Sequence, residues 1–178
     1  MSKLRPPLNA QDHVFGSPDA RVQLVEYGDY ECPFCGRAHA ISKAVRAMDG
    51  VLFAFRHFPL SQVHPHALRA AQAAEAAQLQ DRFWPMHDLI FENQELLEDE
   101  HLLEYARQVG CDVDQFAEDI DSDAVAEKVR ADFLSGARSG VNGTPTFFIN
   151  GERYEGSWEP SVLLPLLDEL RGAARELR

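Results

Sequence analysis

"EYGDYECPFCGRAHA", residues 26–40, is the stretch that decides the fold, because in it two cysteines stand where a strand pattern gives way to a helical one. The run VQLVEY, at 22–27, is rich in β-branched and apolar side chains and predicts a strand. From Phe34 onward the apolar side chains recur in steps of four and three, which predicts a helix with one buried face. Cys32 and Cys35 therefore lie at a strand-to-helix turn.

The residues after this helix complete a βαβ unit. Gly50 is typical of a helix end. The almost continuously apolar run VLFAFRHF, at 51–58, is typical of a strand that is covered on both faces. Because crossover connections are right-handed, we expect the two strands to be parallel neighbours in one sheet.

The remainder of the chain is first helical and then returns to β structure. Residues 64–140 are alanine-rich and amphipathic, and they predict four or five helices. Asn150 and Gly151 stand between the runs TPTFFI and ERYEG, which predicts a hairpin because a type I′ turn needs two residues that tolerate positive φ. The stretch EPSVLLPLLDELRGAARELR then predicts an amphipathic C-terminal helix.

Composition and charge limit the classes of function. The 178 residues carry a net charge of −12, which argues against nucleic acid and anionic membranes as partners. No apolar run is long enough to cross a bilayer, so a soluble protein is expected. The opening MSKLRPPLNAQDHVFG has prolines and polar residues where a secretory signal needs an unbroken apolar segment. A cytoplasmic location is therefore expected, with a removed signal as the alternative.

The spacing of Cys32 and Cys35 favours a dithiol/disulfide site over packing. At the start of a helix, unpaired N–H groups and the positive end of the helix dipole favour a thiolate. Pro33 suits the first helical turn, because its fixed φ is helical and its missing N–H costs nothing there. Inert buried cysteines would not explain a proline-containing pair at this position.

A zinc site is the competing interpretation of the two cysteines. Zinc takes four ligands in structural sites, and the chain has no second C-x-x-C and no H-x3-5-H tract after the pair. Four histidines could in principle contribute, although no ligand spacing supports them: His39, His57, His64 and His66. We therefore expect neither a metal nor an organic cofactor.

The stretch EYGDYECPFCGRAHA together with GVNGTPTFFING, at 140–151, resembles the DsbA-like branch of the thioredoxin-fold thiol:disulfide oxidoreductases. The resemblance covers nearly the whole chain, from about Asp12 to the C-terminal helix. It implies an α/β thioredoxin-like fold, in which β-α-β is followed by a β-hairpin and a C-terminal helix, with an all-helical insertion. The domain division expected on this basis is a thioredoxin-like domain at 12–60 and 141–178, a helical insertion at 61–140 and an N-terminal extension at 1–11.

The resemblance also implies roles for residues of both motifs. Pro145 would follow a cis peptide bond beside the cysteine pair, and the backbone of Thr144 would pair with an extended substrate peptide. The loop residues Pro33 and Phe34 separate an exposed nucleophile, Cys32, from the buried resolving thiol of Cys35.

Glu26 is the third candidate catalytic residue. Strand alternation places it on the face that carries Val22 and Leu24, and the family has an acidic residue six positions before the first cysteine. A buried acid there would have a raised pKa and could exchange a proton with Cys35. The alternative is an exposed glutamate at the end of the strand.

Two features depart from the strongest members of the family. Phe34 occupies the place where the most oxidising relatives have histidine, so we expect less stabilisation of the Cys32 thiolate and a less oxidising couple. Cys111, at a predicted helix end, is expected to be a lone surface or half-buried thiol.

We therefore predict a thiol:disulfide oxidoreductase that acts through Cys32 and Cys35 on protein or peptide thiols and disulfides, with glutathione as a further candidate. An unidentified redox partner would recycle it, and a monomer is expected. The alternatives are a redox-sensitive peptide-binding chaperone and a metal-binding C-x-x-C protein. The sequence does not determine the direction of electron flow.

Overall fold

A five-stranded sheet forms the centre of the protein, which a computed structural model describes from residue 2 to residue 176. In chain order the strands are β1 (His13–Phe15), β2 (Val22–Gly28), β3 (Val51–His57), β4 (Thr146–Ile149) and β5 (Glu152–Arg153). Their order across the sheet is β1-β3-β2-β4-β5. β2 and β3 are parallel, with Val22 opposite Val51, and the other neighbours are antiparallel. The predicted βαβ unit is therefore confirmed.

Helices follow β2, β3 and β5. They are α1 (Pro33–Arg46), α2 (Ala67–Gln78), α3 (Phe83–Glu92), α4 (Asp99–Gln108), α5 (Val113–Asp119), α6 (Asp123–Arg138) and α7 (Pro160–Glu176). Five of them stand between β3 and β4, at the upper end of the predicted four or five. Within the described residues, none of the helices combines the length and the apolar composition needed to cross a membrane.

Local signals in the sequence explain where several of these elements begin and end. The side chains of Asp112 and Ser122 accept backbone N–H groups at the starts of α5 and α6. The predicted hairpin turn has positive φ at both central residues, 50° at Asn150 and 82° at Gly151. Helix α1 ends earlier than Gly50 suggested, since Ala47 already caps it.

The short edge strand β1 was not predicted. It has three residues and pairs antiparallel with β3, His13 lying opposite Phe55. A strand of this length is too short to show the alternation of apolar and polar residues by which strands are recognised. This strand places His13 in the protein interior, where only 8% of the residue is exposed.

The two faces of the sheet belong to two separate hydrophobic clusters. Leu24 and Phe55 face the larger cluster, to which α1, α7 and the helices of the inserted region contribute. Val25 and Tyr27, which alternate with them along β2, face a smaller cluster that includes Leu4 and Phe148. A sheet covered on both faces explains why β3 is buried along its whole length.

A buried ion pair ties the N-terminal segment to the sheet. The Arg56 guanidinium on β3 donates from Nε to Asp12 Oδ1 at 2.6 Å and from Nη2 to Asp12 Oδ2 at 2.9 Å. It also donates to the hydroxyl of Tyr27 and to the carbonyl of Pro6. Both charged side chains are almost fully buried, with exposed fractions of 2% and 3%. Residues before Asp12 are thus part of the folded structure, and Leu4 packs in the smaller cluster.

The division of the chain into a thioredoxin-like domain, an insertion and an extension stays a prediction. Its outermost residues, 1 and 177–178, lie outside the described residues.

We predict that Asp12→Ala lowers the free energy of unfolding by about 3–5 kcal/mol, because it leaves the Arg56 charge buried without its partner. Urea unfolding followed by circular dichroism measures the change. The matched control is Glu92→Ala, which removes an exposed ion pair with Lys43 and should cost about 1 kcal/mol or less. Equal losses of unfolding free energy in the two variants would show that the buried ion pair stabilises the fold no more than the exposed pair does.

Candidate active site

The two cysteines lie where the sequence predicted, between β2 and α1. Cys32 is the residue that caps α1, with an extended backbone at φ −71° and ψ 121°, and Pro33 is the first residue of the helix. Cys35 follows within the first turn. Both residues are free thiols in this structure. The helix thus begins at the pair, as the thiolate argument requires.

Cys32 is less accessible than expected. Only 3% of Cys32 is exposed and none of Cys35, so the prediction of an exposed nucleophile is wrong. The backbone of the loop is covered from the inserted region, because the Gln94 side chain donates to the carbonyls of Tyr30 and Cys32 at 2.8 and 2.9 Å. Cys32 therefore presents little surface to a substrate in this structure.

The side chains next to the pair form the exposed rim of the site. Pro33 is exposed, and Phe34 is 52% exposed at the surface. The Arg37 guanidinium lies 4.9 Å from the centre of the Phe34 ring and 5.6 Å from that of Trp158. These groups offer apolar and cationic surface immediately beside the thiols.

The second motif meets the first at Cys32. The Thr144–Pro145 peptide bond is cis, as the resemblance implied. In the thiol form, Cys32 Sγ donates to the backbone carbonyl of Thr144 at 3.4 Å. Residues 112 positions apart in sequence are therefore in contact, and the loop before β4 lies directly over the start of α1.

The pKa of the Cys32 thiol is lowered from 9.0 to about 5. The largest cause is the hydrogen bond from the Cys35 thiol; the Thr144 side chain and the backbone N–H groups of Cys35 and Phe34 add to it, and together they outweigh burial. These donors stabilise the thiolate although Phe34 provides no charged imidazole in the loop, and the expectation of a less oxidising couple than in relatives with histidine there stays a prediction. At neutral pH Cys32 is a thiolate.

The pKa of the Cys35 thiol moves in the opposite direction. Burial raises it well above 9.0, and the hydrogen bond to Cys32 and the charge of Glu26 raise it further. The backbone N–H of Asp29 lies 3.4 Å from Cys35 Sγ and opposes these effects. The pair thus combines one ionised sulfur with one sulfur that keeps its proton.

Glu26 is buried, not exposed at the strand end. It is 1% exposed, and burial raises its pKa from 4.5 to about 8, with Arg46 acting in the opposite direction. Its Oε1 atom has no hydrogen-bond partner among the described residues. The charge of Glu26 is among the causes that raise the pKa of Cys35.

Sequence reasoning missed two polar residues of this site, Asp29 and His64. The Asp29 side chain is fully buried and accepts the Leu60 N–H and His64 Nδ1, each at 2.8 Å. Burial disfavours the charged imidazole, but Asp29 and the Cys32 charge outweigh it and raise the pKa of His64. An acid three residues before Cys32 was a visible signal for Asp29, whereas nothing in the spacing indicated His64.

The other candidate residues lie outside the cysteine site. His57 is buried, and its Nε2 atom forms a hydrogen bond with the Glu75 carboxylate. Cys111 is buried, with 8% of the residue exposed, so the expectation of a surface or half-buried thiol is wrong; burial raises its pKa. Among residues 2–176, no group of three metal-ligating side chains includes a cysteine.

Comparison with known proteins shows which proteins this chain resembles. A family model described as thioredoxin matches residues 8–169. The Na(+)/H(+) antiporter NhaA 1 of Mycolicibacterium gilvum (strain PYR-GCK) is 44% identical over 173 residues, which make up 95% of this chain and 28% of the antiporter. The chain thus spans little more than a quarter of the length of the curated relatives it matches.

Two solved structures share the fold over almost the whole chain. A thioredoxin-like oxidoreductase from Silicibacter pomeroyi DSS-3 is 28% identical with a TM-score of 0.80, covering 92% of this chain and 94% of its own. The thiol-disulfide exchange protein alpha-DsbA2 from Wolbachia pipientis is 23% identical with a TM-score of 0.82, covering 91% and 88%. The predicted thioredoxin-like α/β fold is therefore confirmed.

We predict that alkylation of Cys32 by iodoacetamide accelerates as pH rises through about 5, where the thiolate forms, and is nearly constant near neutral pH. Mass spectrometry of the modified peptide measures the rate. In the control Cys35→Ala, which lacks the largest stabilising hydrogen bond, the inflection should move to higher pH. An inflection near 9.0, the ordinary thiol value, would contradict the assigned stabilisation.

Proposed function

This chain belongs to the thioredoxin family, and from that premise we propose that it is a thiol:disulfide oxidoreductase whose reacting groups are Cys32 and Cys35. The observation that carries the proposal is the opposite displacement of the two thiol pKa values, downward at Cys32 and upward at Cys35. Disulfide exchange needs this asymmetry, because one sulfur must attack as a thiolate while the other waits as a thiol.

The reaction would proceed in two exchanges. The Cys32 thiolate attacks one sulfur of a substrate disulfide, and the other substrate sulfur leaves as a thiolate that takes a proton. Cys35 then loses its proton and attacks Cys32 Sγ, which releases the second substrate sulfur. The protein gains an internal disulfide and loses two electrons, and the substrate disulfide gains them. The reverse sequence oxidises a substrate dithiol.

Glu26 would serve as the base for the second exchange. A pKa of about 8 keeps most of the carboxyl protonated near neutral pH but leaves an ionised fraction that can accept the Cys35 proton. Glu26 suits this role because its pKa is close to the working pH, whereas the pKa of an ordinary exposed glutamate is far below it. We place Pro145 and Thr144 at the substrate side, where the backbone of Thr144 would pair with an extended peptide.

The proposed substrates are thiols and disulfides of proteins or peptides. Glutathione, the recycling partner and a monomeric state remain proposals, and the location in the cell remains a prediction. The name antiporter applies to the complete matched proteins. This chain corresponds to about a quarter of their length. We propose that the shared segment contributes disulfide exchange and that a cation antiporter is one kind of partner for it.

A second candidate function, peptide binding by a chaperone, is favoured by one observation. A cavity of about 750 Å³ lies between the residues after β3 and the inserted helices, and its walls are mostly apolar, including Phe58, Val63, Leu68, Val129 and Phe133. A cavity of this size accommodates several side chains of an extended peptide. Prevention of aggregation by a chain in which both Cys32 and Cys35 are serine would favour this function.

We predict that Cys35→Ser accumulates mixed disulfides with substrate proteins, because the resolving thiol is absent, whereas Cys32→Ser loses exchange activity altogether. Non-reducing electrophoresis and mass spectrometry of cell extracts measure the trapped species. The matched control is Cys111→Ser, which should resemble the unaltered chain. Equal trapping by the Cys32 and Cys35 variants would contradict the assigned nucleophile, and an antiporter among the trapped proteins would support that partner.

We predict that Glu26→Gln slows resolution of the mixed disulfide about 10²- to 10⁴-fold near neutral pH, since the amide keeps the shape but cannot accept a proton. Single-turnover kinetics across the neutral range measure both exchanges. The first attack, by Cys32, should change little. Resolution rates that coincide with those of the unaltered chain at every pH would remove Glu26 from the mechanism.

The stability of the same variant provides a control for correct folding. Between pH 4.5 and about 8 the unfolded carboxyl is ionised while the native one holds its proton, so stability falls as pH rises through this window. Glu26→Gln removes this loss, at roughly 1.4 kcal/mol per pH unit. The variant should therefore unfold at higher temperature at neutral pH even while it resolves more slowly.

A further inference from the structure

Three buried side chains from three separate elements converge at a point away from the cysteine pair. His13 lies on β1, His57 on β3 and Glu75 on α2. The Nε2 atoms of both histidines lie 2.6 Å from the same atom, Glu75 Oε1. Side-chain exposure is 7%, 1% and 6%, respectively, so the cluster is removed from bulk water.

The chemistry of this cluster matches a metal site. Two imidazoles and one carboxylate are a ligand set that zinc and related transition metals take. The three candidate ligand atoms all lie within 4.8 Å of one another. Around a tetrahedral ion with bonds of about 2.0–2.2 Å, ligand atoms lie about 3.3–3.6 Å apart. The two Nε2 atoms, which lie 2.6 Å from Glu75 Oε1, would therefore have to move away from it by about 1 Å or less and lose their hydrogen bonds to it.

A cavity gives the cluster access to solvent. It has a volume of about 540 Å³, and both His13 and Glu75 line it, together with Gln11 and Lys128. An ion can enter through it, and a water molecule can supply a fourth ligand from the same side. Three protein ligands and one open position are the arrangement found in zinc sites that keep an exchangeable ligand.

The charges nearby are compatible with a dication. Lys128 Nζ is 3.9 Å from Glu75 Oε1, but it is held by both carboxylate oxygens of Asp132 at 2.7 Å. Asp132 also accepts the backbone N–H of His57 at 3.1 Å, so it supports one of the three residues from behind. With Lys128 neutralised by Asp132, the carboxylate of Glu75 remains to balance an ion.

We propose that His13, His57 and Glu75 bind one divalent transition-metal ion, with zinc as the class of ion that the ligands fit. The site is separate from the cysteines and does not depend on disulfide exchange. It would join the edge strand β1 and the strand β3 to α2 of the inserted region. Its ligands are 44 and 18 residues apart in sequence, which is why no spacing motif showed them.

A second cluster in the same chain supplies a matched control. His39, His87 and Asp88 also lie within ligand distance of one another. There, however, the Arg46 guanidinium already binds Asp88 Oδ1, which is 3.4 Å from His39 Nε2. A cation in direct contact with the only carboxylate opposes a second cation, so we assign the metal to the first cluster.

Titration of the oxidised chain with Co²⁺ tests the proposal, because closing the Cys32–Cys35 disulfide removes these two sulfurs as competing ligands. We expect one ion per chain and visible absorption without a sulfur-to-cobalt charge-transfer band, and Zn²⁺ should displace the Co²⁺. His57→Gln keeps a donor for Glu75 but deletes a ligand, and should weaken binding about 100-fold or more. His39→Gln should leave the affinity unchanged.

Three results would overturn the assignment. They are an unaltered chain that binds no Co²⁺ or Zn²⁺, equal affinity in His57→Gln, and loss of binding in His39→Gln. If His57→Gln does not fold, the unaltered oxidised chain decides the question through its melting temperature, which must rise with Zn²⁺ concentration when the ion binds the native state. A melting temperature that is independent of Zn²⁺ would contradict the site.

Discussion

The influence of each thiol on the pKa of the other, at the start of α1, is the interaction on which the chemistry of the site depends. It is the largest cause of the lowered pKa of Cys32, and the same contact contributes to the raised pKa of Cys35. Three features of the structure position the loop that carries the pair. Helix α1 begins at Cys32, the loop with the cis bond covers the sulfur, and Gln94 fixes the carbonyl of Cys32 from the inserted region.

The segment between β3 and β4 contributes side chains to the cysteine site. Gln94, just after α3, binds the backbone of the cysteine loop, and His64, just before α2, binds Asp29 beneath that loop. Through His57 and Glu75 the same region is joined to the end of strand β3. A change in how these helices pack would therefore reach the thiols through specific polar contacts, in addition to the shared hydrophobic core.

How much could be predicted from the sequence follows from how local each feature is. The βαβ unit and the hairpin at Asn150 depend on residues close in sequence, and those predictions were correct. The helix starts at Asp112 and Ser122 depend likewise on side chains that cap a backbone N–H three residues ahead. The low pKa of Cys32 depends mainly on Cys35, which the spacing did show, whereas the environment of Asp29 depends on His64, which it did not. Spacing likewise does not reveal the contact between His13 and Glu75. The burial of Cys32 was not predicted either, because the residues that cover it are distant in sequence.

The most direct test of the central claim is the equilibrium of the chain with reduced and oxidised glutathione, read by the mass of the intact protein after acid quenching. We expect one reversible two-electron transition, in which the chain loses two hydrogens as Cys32 and Cys35 join, with about 30 mV for each tenfold change in the equilibrium constant. A chain that accumulates only a glutathione adduct at Cys32, or that forms no internal disulfide at any ratio, would contradict it.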